Sequence, residues 1–142
     1  MSLNKRARAR RAASQVIYQW QMTAAAPAEV VAQFEEDDRL AKLDRELFLN
    51  LTDAVTRESE ALDELLGECM DRDINRVDPV ERAVLRLGAY ELRSRLEVPW
   101  RVVINEAVEL ARAFGAEQGH RYVNAVLDKL ARRLRAGEIG RV

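Results

Sequence analysis

The chain has 142 residues with 23 Lys or Arg, 24 Asp or Glu, one Cys and one His. That length buries a single hydrophobic core without help from disulfides or metal, and one Cys with one His excludes both an intrachain disulfide and a Cys/His zinc cluster. No apolar run is long enough to span a membrane and no apolar segment follows the basic N-terminus, so the sequence predicts a soluble, cytoplasmic chain with neither membrane span nor secretory signal.

The charge is polarised. Residues 1–28 hold five basic groups and no acid, whereas residues 29–142 hold the other eighteen against all twenty-four acids. A near-neutral chain with one positive end suits specific contact with a polyanion. With six Gly, three Pro and abundant Ala, Leu, Arg and Glu, helix is predicted nearly throughout.

The first helix is predicted from about Asn4 to Thr23. Ala9, Ala13, Val16, Ile17 and Trp20 form its apolar arc, and Arg11, Gln15, Tyr18 and Met22 form a stripe well off it. A short helix follows from Pro27 to about Glu36 with Val30, Val31 and Phe34 turned inward, and "EEDDR" reads as a solvated break. From Leu40 to Met70 a helical beat runs through Leu43, Leu47, Leu51 and Val55, then Leu62, Leu65, Leu66 and Cys69, with "TRESE" interrupting it. Cys69 reads as a small buried residue on the second of these helices.

"DRDINRVDP" is the internal boundary, separating lobes of about residues 1–74 and 75–142 within one domain. It ends in Asp78 as N-cap, Pro79 at the first helical position and Glu81 at the third, a pattern like a capping box. The helix that follows is apolar on two arcs, Val80, Ala83, Val84, Leu87 and Tyr90 against Leu85, Ala89 and Leu92, with Arg82, Arg86 and Arg93 between them. Apolar residues on two sides place a helix at the centre of a fold, and Gly88 permits a neighbour to approach closely. The next helix starts after Pro99, points Val103, Ala107, Leu110, Ala111 and Phe114 inward, and stops at Gly115 as C-terminal cap. The last covers about His120 to Arg135, with Val123, Val126, Leu127, Leu130 and Leu134 inward and Tyr122, Lys129 and Arg133 on a separate stripe. The reading is an all-α fold of about seven helices.

Several polar residues invite chemistry. Glu91 on the inward side of the central helix is best explained by a bond to loop backbone or to an Arg, Glu106 by the helix dipole, and His120 by a cap or a phosphate contact. No Gly-rich phosphate loop, metal-ligand set or cofactor motif is legible, so a cofactor-free binder is favoured over an enzyme. Lys5, Arg6, Arg8 and Arg10 are the candidate phosphate contacts. Tyr122, beside Arg121 and Lys129, offers an unpaired base both a stacking face and phosphate contacts. Tyr18 and Tyr122 each have the alternative of packing the ring against the opposite lobe with the hydroxyl in water.

Three stretches together, "RRAASQVIYQWQ", "VDPVERAVLRLGAYEL" with "VPWRVVINEAVELARAFG", and "HRYVNAVLDKLARR", resemble the NusB family of bacterial transcription antitermination factors. The resemblance runs from about Arg6 to Arg135. It implies a helical fold of two lobes, binding of boxA-type single-stranded RNA, and partnership with the small-subunit ribosomal protein NusE. Contact with the RNA polymerase elongation complex through other Nus factors, and a homodimer, are implied as further assemblies. By the same resemblance Tyr18, Glu81 and Arg82 are assigned to the partner, and Gln118, with His120, Arg121, Tyr122 and Lys129, to RNA. Two positions depart from the family pattern: Ala125 stands where relatives often have Gly, and "EQGH" replaces an acid followed by Ser or Asp. The alternatives are a NusB-like adaptor or homodimer acting through protein contacts alone, and the accessory domain of a ribosomal-RNA methyltransferase. The second carries the expectation of a Rossmann-like catalytic domain following Val142.

Overall fold

The computed structural model describes residues 4–36 and 42–140. Most of the predicted "EEDDR" break and the Leu40 boundary lie outside them. Among the described residues there are eight α-helices and no strand: α1 (Lys5–Thr23), α2 (Pro27–Glu36), α3 (Arg45–Arg57), α4 (Ser59–Gly67), α5 (Pro79–Ser94), α6 (Trp100–Phe114), α7 (Gly119–Leu134) and the single turn α8 (Ala136–Ile139), with a short 3-10 turn at Ile74–Arg76.

Local chemistry sets the boundaries. Asn4 Oδ1 accepts from the Ala7 amide at 2.7 Å and Asp44 Oδ1 from Leu47 at 3.0 Å, starting α1 and α3. Helix α1 stops at Ala24, whose left-handed backbone turns its N–H back to the Trp20 carbonyl. Asp78 caps α5 through the Val80 amide at 2.9 Å. Glu58 separates α3 from α4, and Cys69 is buried in the turn just past α4 rather than on it.

Helix α5 lies at the centre, packed by α1, α3 and α4 on one side and α6 and α7 on the other. Both of its apolar arcs are buried, as the two-sided pattern predicts, except for the half-buried Val80 at its start. Gly88 does the expected work, since a Cβ there would stand 2.7 Å from Leu127 Cδ1. Helix α1 runs antiparallel to α5: Arg10, near its start, meets Glu91, and Gln21, near its end, donates to the Pro79 carbonyl at 2.9 Å.

The C-terminal end of α5 is sealed by a residue that the sequence reading leaves unassigned. Arg135 is buried and donates to the carbonyls of Glu91, Leu92, Arg95 and Val98 at 2.7–3.1 Å, in the last turn of α5 and the loop that follows it. It also pairs at 2.7 Å with Glu138 on α8, a turn absent from the sequence prediction, and Glu138 in turn accepts from the Trp100 amide at 3.0 Å to cap α6.

The N-terminal charge run divides on folding. Arg10 is 4% exposed and forks onto Glu91, Nε to Oε1 at 2.7 Å and Nη2 to Oε2 at 3.0 Å. It is therefore withdrawn from the phosphate set. The reason is helical spacing: Arg10 precedes Ala13 by three residues and Ile17 by seven, which places it on the core arc. Glu91 fulfils the expectation of an Arg partner. Glu106 lies about two turns into α6, beyond the reach of the helix dipole, and its charge acts on Arg10 instead.

Removing one partner of a buried ion pair strands the other charge, so Arg10→Gln is expected to cost about 3–5 kcal/mol. Arg10→Met combined with Glu91→Met should recover most of that loss, and Lys5→Gln should change stability by less than about 0.5 kcal/mol. Urea denaturation of the four proteins checks the ordering.

Candidate nucleic-acid interface

What remains outside at the α1 terminus is Lys5, Arg6, Arg8 and Arg11. Arg6 stands 3.9 Å from Asp44, and Arg8 donates to the Lys42 carbonyl at 3.1 Å, so both lean toward the start of α3 while keeping donors in solvent. Arg11, absent from the predicted site, lies over the Phe114 ring at 4.7 Å to its centroid. Phe114 itself is 39% exposed, against the inward assignment. It is the last residue of α6 and extends past the layer in which Val103, Ala107 and Leu110 are buried. A cation stacked on an exposed ring was legible as a possibility only through the α1 stripe that holds Arg11, Gln15 and Tyr18.

That stripe is displayed as predicted. Tyr18 is 39% exposed and lines an open apolar groove with Ser14, Gln15, Phe34, Val80 and Phe114. The two charged residues assigned to the partner alongside it are turned elsewhere. Glu81 is 2% exposed. Arg82 donates to the carbonyls of Ile74, Asn75 and Val77 at 3.1–3.2 Å, closing the turn before α5. Neither side chain presents its charge to the groove's Tyr18, and the α5 surface there is Val80 and Ala83.

The α6–α7 turn carries the other half of the predicted site. Gln118 adopts φ 71°, a left-handed backbone uncommon for a residue with a Cβ, and occupies the N-cap position of α7 without a side-chain cap. His120 is therefore the second residue of the helix and not its cap. Arg121 and Lys129 are exposed, and His120 is half-buried. Tyr122 is half-buried against the core, its hydroxyl bonded to Asp71 at 3.2 Å and one face covered by Arg72 at 4.4 Å to the centroid. Burial and then the Asp71 carboxylate push the Tyr122 hydroxyl pKa upward, and the Arg72 hydrogen bond leads in holding Asp71 below the usual carboxylate range. The ring thus packs against the opposite lobe, with its hydroxyl on Asp71 where the sequence alternative left it in water.

The structure does not bring all these groups together at one point. Gly119 lies against Glu81 near the start of α5, while Arg10 lies against Glu91 near its end. Ten residues of helix separate them, about 15 Å at 1.5 Å per residue. Arg11 and Phe114 occupy the ground between, because Phe114 leads directly into the α6–α7 turn. The surface is a strip, with cations at both ends and aromatic rings along it.

Tyr122→Phe keeps the ring beneath Arg72 and removes only the Asp71 bond, so its unfolding midpoint should stay near that of the parent chain. Tyr122→Ala should lose about 1–3 kcal/mol through ring burial and the cation–π contact, against less than about 0.5 for Lys129→Ala. Thermal and urea unfolding of the three variants measures this.

Residues 7–132 match the NusB family. The transcription antitermination protein NusB of Hahella chejuensis is 49% identical over 138 residues, 97% of this chain and 93% of that protein. That of Alcanivorax borkumensis is 50% identical over 133 residues, 94% of this chain and 89% of that protein. Among solved structures, antitermination factors NusB and NusE in complex with double-stranded RNA align with a TM-score of 0.78 at 29% identity, covering 89% of this chain and 96% of that one. NusB of T. maritima shares the fold at a TM-score of 0.78 and 24% identity, covering 92% of this chain and 93% of that one. Helix order, the central two-sided α5 and matches over nearly the whole length agree: the chain belongs to the NusB family.

Proposed function

We propose that this chain is a cytoplasmic, non-enzymatic transcription antitermination factor that binds boxA-type RNA jointly with a NusE-type ribosomal protein and supports ribosomal RNA transcription. It works as one domain of two lobes, about residues 1–74 and 75–142. Lys5, Arg6, Arg8 and Arg11 hold phosphates at one end of the strip. Gln118, His120, Arg121, Tyr122 and Lys129 serve RNA at the other. The NusE-type partner docks on the Tyr18 groove, and the assembly reaches elongating RNA polymerase through other Nus factors.

The observation that carries this reading is the Arg11–Phe114 stack, because it joins the basic end of α1 to the α6–α7 turn through exposed groups. Aromatic faces next to guanidinium groups suit unpaired bases, which stack on rings and leave their phosphates to cations. The related complex with double-stranded RNA gives a second reading, in which the strip follows a duplex backbone and the rings are spectators. The two differ in what competes: a single strand with the boxA sequence displaces itself but not a duplex of equal length, or the reverse. A homodimer through the Tyr18 groove would occupy the surface given to the NusE-type partner, so that partner recruitment would weaken as protein concentration rises.

Changing Lys5, Arg6, Arg8 and Arg11 together to Gln should weaken binding to all RNA sequences alike and flatten the salt slope by about 0.7 for each single-strand phosphate no longer neutralised. Tyr18→Asp should impair partner recruitment more than binding of RNA alone, since the new charge must be buried without a mate. Fluorescence anisotropy across a salt series, with and without the NusE-type protein, reads both. An unchanged slope in the quadruple variant would return the tip to an ordinary solvated surface.

A further inference from the structure

Beneath the α6–α7 turn lies a carboxyl group for which partner binding offers no use. Glu81 Oε1 accepts from the Ala116 amide at 3.2 Å. A Cβ built on Gly119 would fall 1.4 Å from that same oxygen, and one on Gly115 would fall 2.9 Å from it. The carboxyl thus occupies the volume that any other residue at position 119 would need. Gly115 does not adopt a left-handed cap, its backbone being extended, so both glycines are required for space and not for φ.

The other oxygen, Oε2, is buried with no donor from a neighbouring residue facing it. The charged neighbour is Asp78, in the turn before α5, whose carboxylate disfavours a second charge on Glu81. From α6, α7 and the turn between them Glu81 meets the backbone at Gly115, Ala116 and Gly119. From α1 the group that reaches this end of α5 is the uncharged Gln21, and Arg82 is engaged with the Ile74, Asn75 and Val77 carbonyls while its charge acts on Asp78. No cation among these offsets ionisation of Glu81. Burial, and then Asp78, raise its pKa to about 7.

We propose that Glu81 is a positioning residue for the RNA-facing turn: its carboxyl fills the space beside Gly119, holds Ala116, and so fixes where Gln118, His120 and Tyr122 point. The proposal rests on the reading that this turn meets RNA. It also explains why a residue assigned to partner contact is buried. The sign of the linkage follows from the raised pKa. The stabilising contribution is complete below the ordinary carboxyl range and disappears as pH rises through about 7, when the buried Glu81 carboxylate would stand beside the exposed carboxylate of Asp78.

The test reads amide hydrogen-exchange protection in the free protein and, separately, affinity for a boxA single strand. Glu81→Ala should lower protection at Ala116, Arg121 and Tyr122 by at least about tenfold and leave the amides of Leu85–Leu92 unchanged. Gly119→Ala should do the same, and adding Glu81→Ala to it should restore at least about threefold at Arg121 and Tyr122, because the two side chains compete for one volume. Between about pH 6 and about pH 8 the parent chain should lose protection at these amides, while Glu81→Gln, which keeps the shape and the Ala116 acceptor without ionising, should not. Unchanged protection in Glu81→Ala, multiplicative losses in the double variant, or an equal pH-dependent loss in Glu81→Gln would each overturn the positioning role. Reduced protection with RNA affinity intact would instead leave Glu81 as the support of the turn and remove the turn from the RNA surface.

Discussion

The Arg10–Glu91 fork decides how the first helix sits on the rest of the molecule. A buried pair of this kind adds little net stability, because desolvating two charges offsets much of their attraction. What it contributes is orientation. With Arg10 joined to Glu91 by two hydrogen bonds at 2.7 and 3.0 Å, α1 cannot rotate about its axis without stranding a charge. Ala9, Ala13 and Ile17 are thereby held inward, and Arg11, Gln15, Tyr18 and Met22 outward. The exposed face of α1 is a consequence of one buried contact near its start.

Helix α5 extends that constraint to both ends of the protein. At its C-terminal end Arg135 binds the carbonyls of the last turn and following loop and ties α8 to α6 through Glu138. At its N-terminal end Asp78 caps the helix and Glu81 supports the α6–α7 turn. The two ends of the proposed RNA strip are thus registered to one another through one helix, with Gly88 letting α7 seat directly on it. The separation of about 15 Å along that helix makes the proposed RNA surface a strip and not a pocket, which suits an extended polymer better than a small molecule.

Much of this was legible beforehand. Periodicity located all seven long helices, the two-sided pattern of α5 placed it at the centre, and Asp78–Pro79 marked its start. The motifs of the C-terminal half pointed to the family. Errors arose where one signal concealed another. The basic run from Lys5 to Arg11 reads as a block of like charge, but the 3.6-residue period sends Arg10 inward and Arg11 outward, and only the structure shows Glu91 waiting for the first and Phe114 for the second. Phe114 fits the apolar beat of α6 yet comes at its last residue, where the core has ended. Glu81 matches a capping box by spacing, but its partner is the Ala116 amide, thirty-five residues on. Arg135 and Glu138 lack any local pattern, since every carbonyl Arg135 serves is distant in sequence.

The central claim is that RNA runs along the strip from the α1 terminus over Arg11 and Phe114 to the start of α7. Amide chemical-shift mapping during titration with a boxA single strand tests it most directly. The account predicts perturbations at Lys5–Arg11, Phe114 and Gln118–Tyr122, in slow or intermediate exchange and weakened together by salt, with α2 and the outer face of α3 silent. Perturbations centred on α2 and α3, or confined to the basic tip with Phe114 and the α6–α7 turn unmoved, would contradict it.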